Sequence, residues 1–363
     1  MRNVLITGGA GFIGSNFVRF LLDAEPLVQI INLDALTYAG NKNNIADLHS
    51  SRHHFVHGNI CDARMVKRLF RQYQVDTVVH FAAESHVDRS IDDPSVFVKT
   101  NINGTQVLLE AARKFWFNRD GQLKKPNVRF HHISTDEVFG SLFPTDEPFT
   151  EETVYHPRSP YSASKAAADH LVRAYYHTFK LPVTISHCTN NYGPYQHPEK
   201  LIPLMFLNCL LGRRLPIYGD GRQIRDWIYV EDHCDAIHAI LVDGNPGETY
   251  LIGGNNQPTN LEIVLSICAL MDEFLPDSPH VPHAHLIDHV MDRFGHDRRY
   301  AVDTTKIRHD LDWQPLHGLD DGLRATVQWY LKHQDWLQEI FDGSSFQRWA
   351  QSQYEEREER SLS

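Results

Sequence analysis

The sequence predicts an α/β fold: a Rossmann-type doubly wound parallel sheet followed by a smaller C-terminal α/β lobe. Three observations carry this. The apolar run Val4-Leu5-Ile6 leads directly into the glycine-rich segment Gly8-Gly9-Ala10-Gly11-Phe12-Ile13-Gly14. Strand-type and helix-type patterns then alternate as far as His187. Beyond Asn191 the chain turns irregular and rich in Pro and Gly, which sets the second lobe apart.

Taken in order, Arg2 to Thr7 reads as a buried strand, Gly8 to Gly14 as a tight turn, and Phe12 to Leu22 as an amphipathic helix that ends before Pro26. Gln29 to Leu33 is a second strand. A helix near Ala63 to Tyr73, a strand at Thr77 to Phe81, a helix from Ser95 to Phe117 and a strand at Val128 to Ile133 continue the alternation. The polar stretch Asn118 to Asn127 is a surface loop. A helix around Tyr161 to Phe179 and a strand Val183 to His187 complete the sheet. In the lobe, helices are expected near Leu201 to Leu211, Glu231 to Val242, Leu261 to Phe274 and Gly322 to His333, with short strands between them. The resulting division is 1–190, 191–340 and a tail 341–363, whose charged run Tyr354 to Arg360 reads as a solvated helix end.

Composition excludes several classes. With 363 residues, 42% hydrophobic and 22% charged, the chain can bury a sizeable core. A formal charge of -11 argues against a nucleic-acid surface, which needs clustered Lys and Arg. Cys61, Cys188, Cys209, Cys234 and Cys268 are odd in number and scattered, so neither a disulfide framework nor a cysteine zinc site is expected, and a reducing cytoplasm fits. Met1 runs into the first strand without a signal-type leader, and no stretch reaches the roughly 18 apolar residues of a membrane span. The protein is expected to be soluble, with no membrane partner. His280, His283, His285 and His289 lie in a Pro-containing, loop-like region without H-E-x-x-H, so no metal is expected there.

Gly8, Gly11 and Gly14 fall at i, i+3 and i+6 between a strand and a helix. Without Cβ atoms the backbone can approach a pyrophosphate, whose charge the helix N-terminus stabilises. Asp34 ends the second strand, where a carboxylate accepts hydrogen bonds from ribose hydroxyls and repels a 2'-phosphate. NAD is therefore favoured over NADP. Asn59 and Ile60 follow the next apolar segment and would border the adenine.

Tyr161 and Lys165 stand four apart, on one face of a helix. An ammonium there is expected to favour phenolate and make Tyr161 a base for a sugar hydroxyl, while the carbon gives hydride to the nicotinamide. Thr135-Asp136-Glu137 adds two adjacent carboxyl groups. Simple oxidation has no use for them, whereas removing one proton and delivering another does. Burial and an ionised Glu137 would both keep Asp136 protonated.

These motifs make the chain similar to the extended short-chain dehydrogenase/reductase superfamily and, more narrowly, to nucleotide-sugar 4,6-dehydratases of the dTDP-glucose type. The resemblance rests on the glycine loop, Leu36-Thr-Tyr-Ala-Gly-Asn41, Ala82-Ala-Glu-Ser-His-Val-Asp-Arg-Ser90, His132-Ile-Ser-Thr-Asp-Glu-Val138, Tyr161-Ser-Ala-Ser-Lys165, Asn190-Asn-Tyr-Gly-Pro194, Arg225-Asp-Trp227 and Gly295-His-Asp-Arg-Arg-Tyr300. It implies oxidation of dTDP-glucose at C4 by NAD, loss of water across C5 and C6, and return of hydride to C6. In that scheme Tyr161 and Lys165 work at O4 with Thr135, Glu137 takes the C5 proton and Asp136 protonates the departing C6 hydroxyl.

The resemblance further implies an NAD set of Gly8, Gly11, Phe12, Ile13, Gly14, Asp34, Leu36, Thr37, Asn59, Ile60, Phe81, Ala82, Ala83, Ser85, Thr100, Tyr161, Lys165 and Asn191. The implied substrate set is Ser85, His86, Thr135, Asn191, Lys200, Leu201, Pro216, Ile217, Tyr218, Arg225, Asn260 and His296. Arg225 would clamp the diphosphate, or alternatively pair with Asp226 or Asp232. Tyr218 would stack on the base, or belong to a core. Three departures stand out: Asn59 replaces the usual Asp at the adenine edge, Phe294 replaces a proline near the diphosphate, and the loop Phe139 to Glu152 is shorter than in several relatives. A homodimer is implied through the helices near Ser95 to Phe117 and Tyr161 to Phe179, whose apolar faces could equally pack within one subunit. Same-fold alternatives are a nucleotide-sugar 4-epimerase, a UDP-glucuronate decarboxylase or a CDP-, UDP- or GDP-sugar dehydratase. An NAD-binding scaffold without catalysis is the alternative of another kind. The pathway fed, cell-surface rhamnose or a secondary-metabolite sugar, is open.

Overall fold

Seven parallel strands form the centre of the chain in a computed structural model that describes residues 1–292 and 297–342. The winding begins with β1 (Asn3–Thr7), α1 (Phe12–Ala24), β2 (Gln29–Asp34), β3 (His53–His57), α2 (Ala63–Tyr73) and β4 (Thr77–His80). It continues through α3 (Val87–Asp92), α4 (Pro94–Phe97), α5 (Thr105–Trp116), β5 (Arg129–Thr135), α6 (Pro160–Phe179) and β6 (Val183–Cys188). Then follow β7 (Asn190–Tyr192), α7 (Leu201–Leu211), β8 (Leu215–Tyr218), β9 (Trp227–Tyr229), α8 (Val230–Asp243), β10 (Thr249–Ile252), α9 (Asn260–Phe274), β11 (Ile287–Val290), α10 (Thr305–Leu311), α11 (Leu319–Lys332) and α12 (Gln334–Asp342).

The strand order is β3-β2-β1-β4-β5-β6-β10, with every neighbouring pair parallel. This is the doubly wound sheet the sequence predicts. The chain winds outward from β1 in one direction and from β4 in the other, so a crevice opens beyond their C-terminal ends. On one face α1 and α8 meet through Phe17, Val18, Leu21, Val230 and Ile237. On the other, α2, α5 and α6 cover the strands through Phe70, Leu109, Trp116 and Val172.

Three features differ from a reading of pattern alone. The helix expected from Ser95 to Phe117 is interrupted by a wider π turn over Val98–Gly104. There the Asn101 amide turns away to bond the backbone of Glu84 (2.9 and 3.0 Å) and Ser164 Oγ (2.8 Å), contacts an unbroken helix would not offer. The edge strand β3, His-His-Phe-Val-His, is only half-buried and lacks an apolar run. Finally, β10 returns to the sheet beside β6, so the chain after Asn191 divides between the sheet and the smaller lobe. That lobe has its own core, built on α7, α9 and α11 around Phe206, Met271 and Tyr330.

The end of the described chain is tied to the glycine loop. Buried Trp336 of α12 donates its indole N–H to Asn44 Oδ1 at 2.8 Å, and Asn44 Nδ2 donates to the Ala10 carbonyl at 2.9 Å. Trp336→Phe should leave that Asn44 oxygen unpaired at a cost of about 1–3 kcal/mol. A thermal melt is expected to show a lower midpoint, and an unchanged one would mean the α12 contact contributes nothing.

Candidate active site

A cavity of ≈ 330 Å³ lies beyond the C-terminal ends of β1, β4 and β5, and is walled by residues from Gly8 to Lys200. Its floor is the glycine loop. Gly8 has φ +75°, and a Cβ there would stand 2.7 Å from the Ala82 nitrogen; at Gly14 it would stand 2.2 Å from the Gly8 carbonyl oxygen. Only hydrogen fits at either position. No side chain caps α1 at Gly11, which leaves its first amides for an anion.

Asp34 is buried behind this loop. Its Oδ2 accepts from the Ala10 amide (2.9 Å) and its Oδ1 from the Leu36 amide (2.8 Å). Burial raises its carboxyl pKa, and the two backbone bonds oppose the rise. Leu36 is therefore off the cavity wall but fixes Asp34, from a left-handed conformation with φ 50°. Asn59 Oδ1 accepts from the Cys61 amide at 2.8 Å, so its carbonyl closes a turn at the cavity edge. The close backbone, uncapped helix and buried carboxylate together suit a dinucleotide.

The reactive groups converge from β5 and α6. Thr135 ends β5 and caps the short turn Asp136–Phe139 by accepting from the Glu137 amide at 3.3 Å. Thr135 Oγ1 also donates to Asp136 Oδ1 at 3.3 Å. Asp136 is 2% exposed, and its Oδ2 has no hydrogen-bond partner among the described residues. Burial, then the charge of Glu137 and that of Asp226, push this carboxyl well above the usual range, with Arg225 opposing. The shift favours the protonated form of Asp136, in the direction that its neighbour and its burial suggest.

Pro160 and a Ser159/Ser162 capping box start α6 and set Tyr161 and Lys165 on its buried face. Here one expectation is corrected. The Tyr161 phenol is not lowered by Lys165: burial and the charge of Glu137 hold it well above its ordinary value, and a hydrogen bond with Thr135 opposes them. The Lys165 ammonium is instead engaged by the Ile133 carbonyl at 2.7 Å, while burial lowers its own pKa. Burial and then the nearby Glu137 carboxylate set the direction at Tyr161, while the Lys165 cation is directed at a backbone carbonyl.

A raised carboxyl pKa has a consequence for stability. Folding favours the neutral form of Asp136, so its contribution is fully present below the unfolded value of 3.8 and is lost as pH rises through the folded value. Asp136→Asn should therefore stabilise the fold at neutral pH, with the gain vanishing in acid. Parallel melts at both pH values check this; equal effects would contradict it.

All five catalytic candidates, Thr135, Asp136, Glu137, Tyr161 and Lys165, line the cavity. So does every NAD candidate except Leu36. Of the substrate candidates, Ser85, Thr135, Asn191 and Lys200 are on the wall, whereas His86, Leu201, Pro216, Ile217, Tyr218, Arg225 and Asn260 are not. Ile217 is buried in the core of the lobe, and Leu201 packs against that core. Arg225 is buried, donating to the carbonyls of Ile224 (2.8 Å) and Asp297 (2.9 Å) and lying over the Tyr300 ring. Asp232 holds His317 and Asp226 accepts from the Asn256 amide at 2.8 Å, and among the described residues neither forms an ion pair with Arg225. His296 and Phe294 lie outside the described residues, as does the run Tyr354 to Arg360. The wall also carries Gln196, His197 and Glu199, which no motif singled out, and Glu84, which the Ala82–Ser90 motif contains but to which no role was given. Glu199 is buried beside His86, Arg89 and His197, brought there by a loop whose spacing gives no signal.

The chain matches the GDP-mannose 4,6 dehydratase family over residues 5–326. It is 52% identical to the dTDP-glucose 4,6-dehydratase of Salmonella typhimurium, across 98% of this chain and 99% of that one. The corresponding enzyme of Neisseria gonorrhoeae is 55% identical across 91% and 96%. A crystal structure of dTDP-glucose 4,6-dehydratase from Bacillus anthracis in complex with NAD shares the fold with a TM-score of 0.82, at 44% identity and 94% and 100% coverage. A UDP-glucose 4-epimerase of Thermotoga maritima also aligns, with a TM-score of 0.78 at 29% identity over 91% and 99%. Sheet, cavity and acidic pair together define a nucleotide-sugar 4,6-dehydratase on the extended short-chain dehydrogenase/reductase fold. Within that class the chain belongs to the dTDP-glucose 4,6-dehydratase family.

Proposed function

We propose that this chain converts dTDP-glucose to dTDP-4-keto-6-deoxyglucose with NAD held in the cavity. The observation that carries the reading is a buried Asp136, its carboxyl pKa pushed well up, beside Glu137 in the same cavity as Tyr161 and Lys165. NAD, when bound, supplies the acceptor for the electron pair of C4 and returns that pair to C6. Gly8, Gly11, Gly14 and Asp34 would hold it, with Phe12, Ile13, Thr37, Asn59, Ile60 and Phe81 to Ala83 along its length.

Tyr161, positioned by its hydrogen bond with Thr135, would take the O4 proton as phenolate, a form that the cationic nicotinamide of bound NAD would favour against burial and the charge of Glu137. The new C4 carbonyl acidifies C5–H. Glu137 removes that proton, and Asp136 gives its own to the C6 oxygen, which leaves as water. Glu137 exchanges that proton with solvent and then returns one to C5. The count closes with one water lost, and solvent restores Asp136 from the proton held by Tyr161. Ser85, Asn191 and Lys200 are the wall residues that would hold the sugar nucleotide, Lys200 by charge.

Incubation of purified protein with dTDP-glucose, UDP-glucose and CDP-glucose tests both chemistry and nucleotide. Loss of water from dTDP-glucose alone is expected. Conversion of UDP-glucose to its C4 epimer would favour the reading suggested by the aligned epimerase fold.

The same reading includes a homodimer. The helices near Ser95 to Phe117 and Tyr161 to Phe179 would supply the interface; Val96, Val98 and Phe179 are 39%, 48% and 39% exposed along them. Light scattering should give twice the chain mass, and a monomer mass would overturn it. The cytoplasm is the proposed location, supported by five free cysteines. No helix among the described residues is long and apolar enough to cross a membrane.

A further inference from the structure

A buried polar cluster behind the cavity is left unused by the steps above. Asp169 follows Lys165 by one turn of α6 and is wholly buried. Its Oδ2 accepts from Ser134 Oγ at 2.8 Å and from the Tyr155 hydroxyl at 3.1 Å, and lies 3.0 Å from His187 Nε2. Its Oδ1 lies 3.3 Å from His132 Nε2, and the same ring nitrogen lies 3.5 Å from Lys165 Nζ.

A buried carboxylate and a buried ammonium are each costly unless paired. Here they share one helix face, with the His132 ring between them. We propose that Asp169 is the buried counter-charge and positioning residue of Lys165, holding it as an ammonium across a neutral His132. The proposal rests on the role given to Lys165 in the dehydration, and adds a residue to that site.

The surrounding charges agree. Burial is the largest influence on Lys165 and lowers its pKa, and the charge of Asp169 is the largest opposing one, followed by Cys188. Asp169 itself is disfavoured as an anion by burial, yet His187 and His132 hold it well below the carboxylate range. His132 is pushed down to about 4 by burial and then by Lys165, so the ring carries no charge at working pH. The titratable groups around the ammonium are thus His132 on β5, His187 and Cys188 on β6, His80 on β4, and Tyr161 and Asp169 on α6. Among them Asp169 is the one held anionic.

Two readouts test this on the full chain. In the first, the pH profile of dTDP-glucose turnover is compared between wild type, Asp169→Asn and His132→Gln. Removing the anion lowers the ammonium pKa, so the alkaline fall-off of Asp169→Asn should move down by about one pH unit or more. His132→Gln keeps the carboxylate and should keep that limb. Superimposable limbs for wild type and Asp169→Asn would overturn the proposal, while a wild type that converts no dTDP-glucose would instead sink the assigned function. The second readout is a melting cycle of Lys165→Met, Asp169→Asn and the double variant, which needs no activity. The double is expected to melt above Lys165→Met, because the buried anion, still hydrogen-bonded by Ser134 and Tyr155 but without its counter-charge, is gone. Additive losses, or a double variant that fails to fold, would show that Asp169 serves the fold irrespective of Lys165.

Discussion

Glu137→Gln is expected to lower turnover of dTDP-glucose by about 10²- to 10⁴-fold, the range a positioned acid or base contributes. The amide has nearly the shape of the carboxylate, so the loss reports chemistry and not packing. The same variant should stop exchange of the C5 proton with deuterated solvent, because no base remains to remove it. Asp136→Asn separates the two roles: exchange at C5 continues while water is not lost. Were Glu137→Gln to exchange C5 at the wild-type rate, the base would have to be another group on the cavity wall. Glu199 and Glu84 are the carboxylates that line it besides Asp34, Asp136 and Glu137.

Gly14→Ala carries the second large effect. The added Cβ would stand 2.2 Å from the Gly8 carbonyl oxygen, so the loop must move. Relief of such overpacking typically costs about 1–3 kcal/mol. If that relief displaces the amides facing the cofactor, NAD should bind roughly tenfold to a hundredfold more weakly. Calorimetric titration with NAD checks this, and unchanged affinity would remove the glycine loop from the binding site.

Which parts of this molecule could be read from the chain follows from how far apart the cooperating residues are. The glycine loop and Asp34 were legible because a strand, a tight turn and a helix start are local events with fixed spacing. Tyr161 and Lys165 share one helix face, and Thr135 to Glu137 are consecutive, so both sets arrive in the cavity as units. Long-range packing hid the rest. Nothing local to Thr249–Ile252 says that it closes the sheet beside β6, and nothing local to Glu199 says that it arrives beside His86 on the cavity wall.

Electrostatics were legible only where the partner was adjacent in sequence. Burial and Glu137 raise Asp136 as anticipated, but burial and then the same Glu137 also raise Tyr161, while the Ile133 carbonyl takes Lys165. The substrate candidates fared unevenly for a related reason. Pro216, Ile217 and Tyr218 form β8, where alternate side chains turn to opposite faces, and Ile217 turns into the lobe core.

The division of labour between Glu137 and Asp136 is tested most directly by following dTDP-glucose in deuterated water by NMR and mass. The account predicts a 4-keto-6-deoxy product, one water lighter, with one deuterium at C5. A product of unchanged mass inverted at C4, or a dehydrated product with no deuterium at C5, would contradict it.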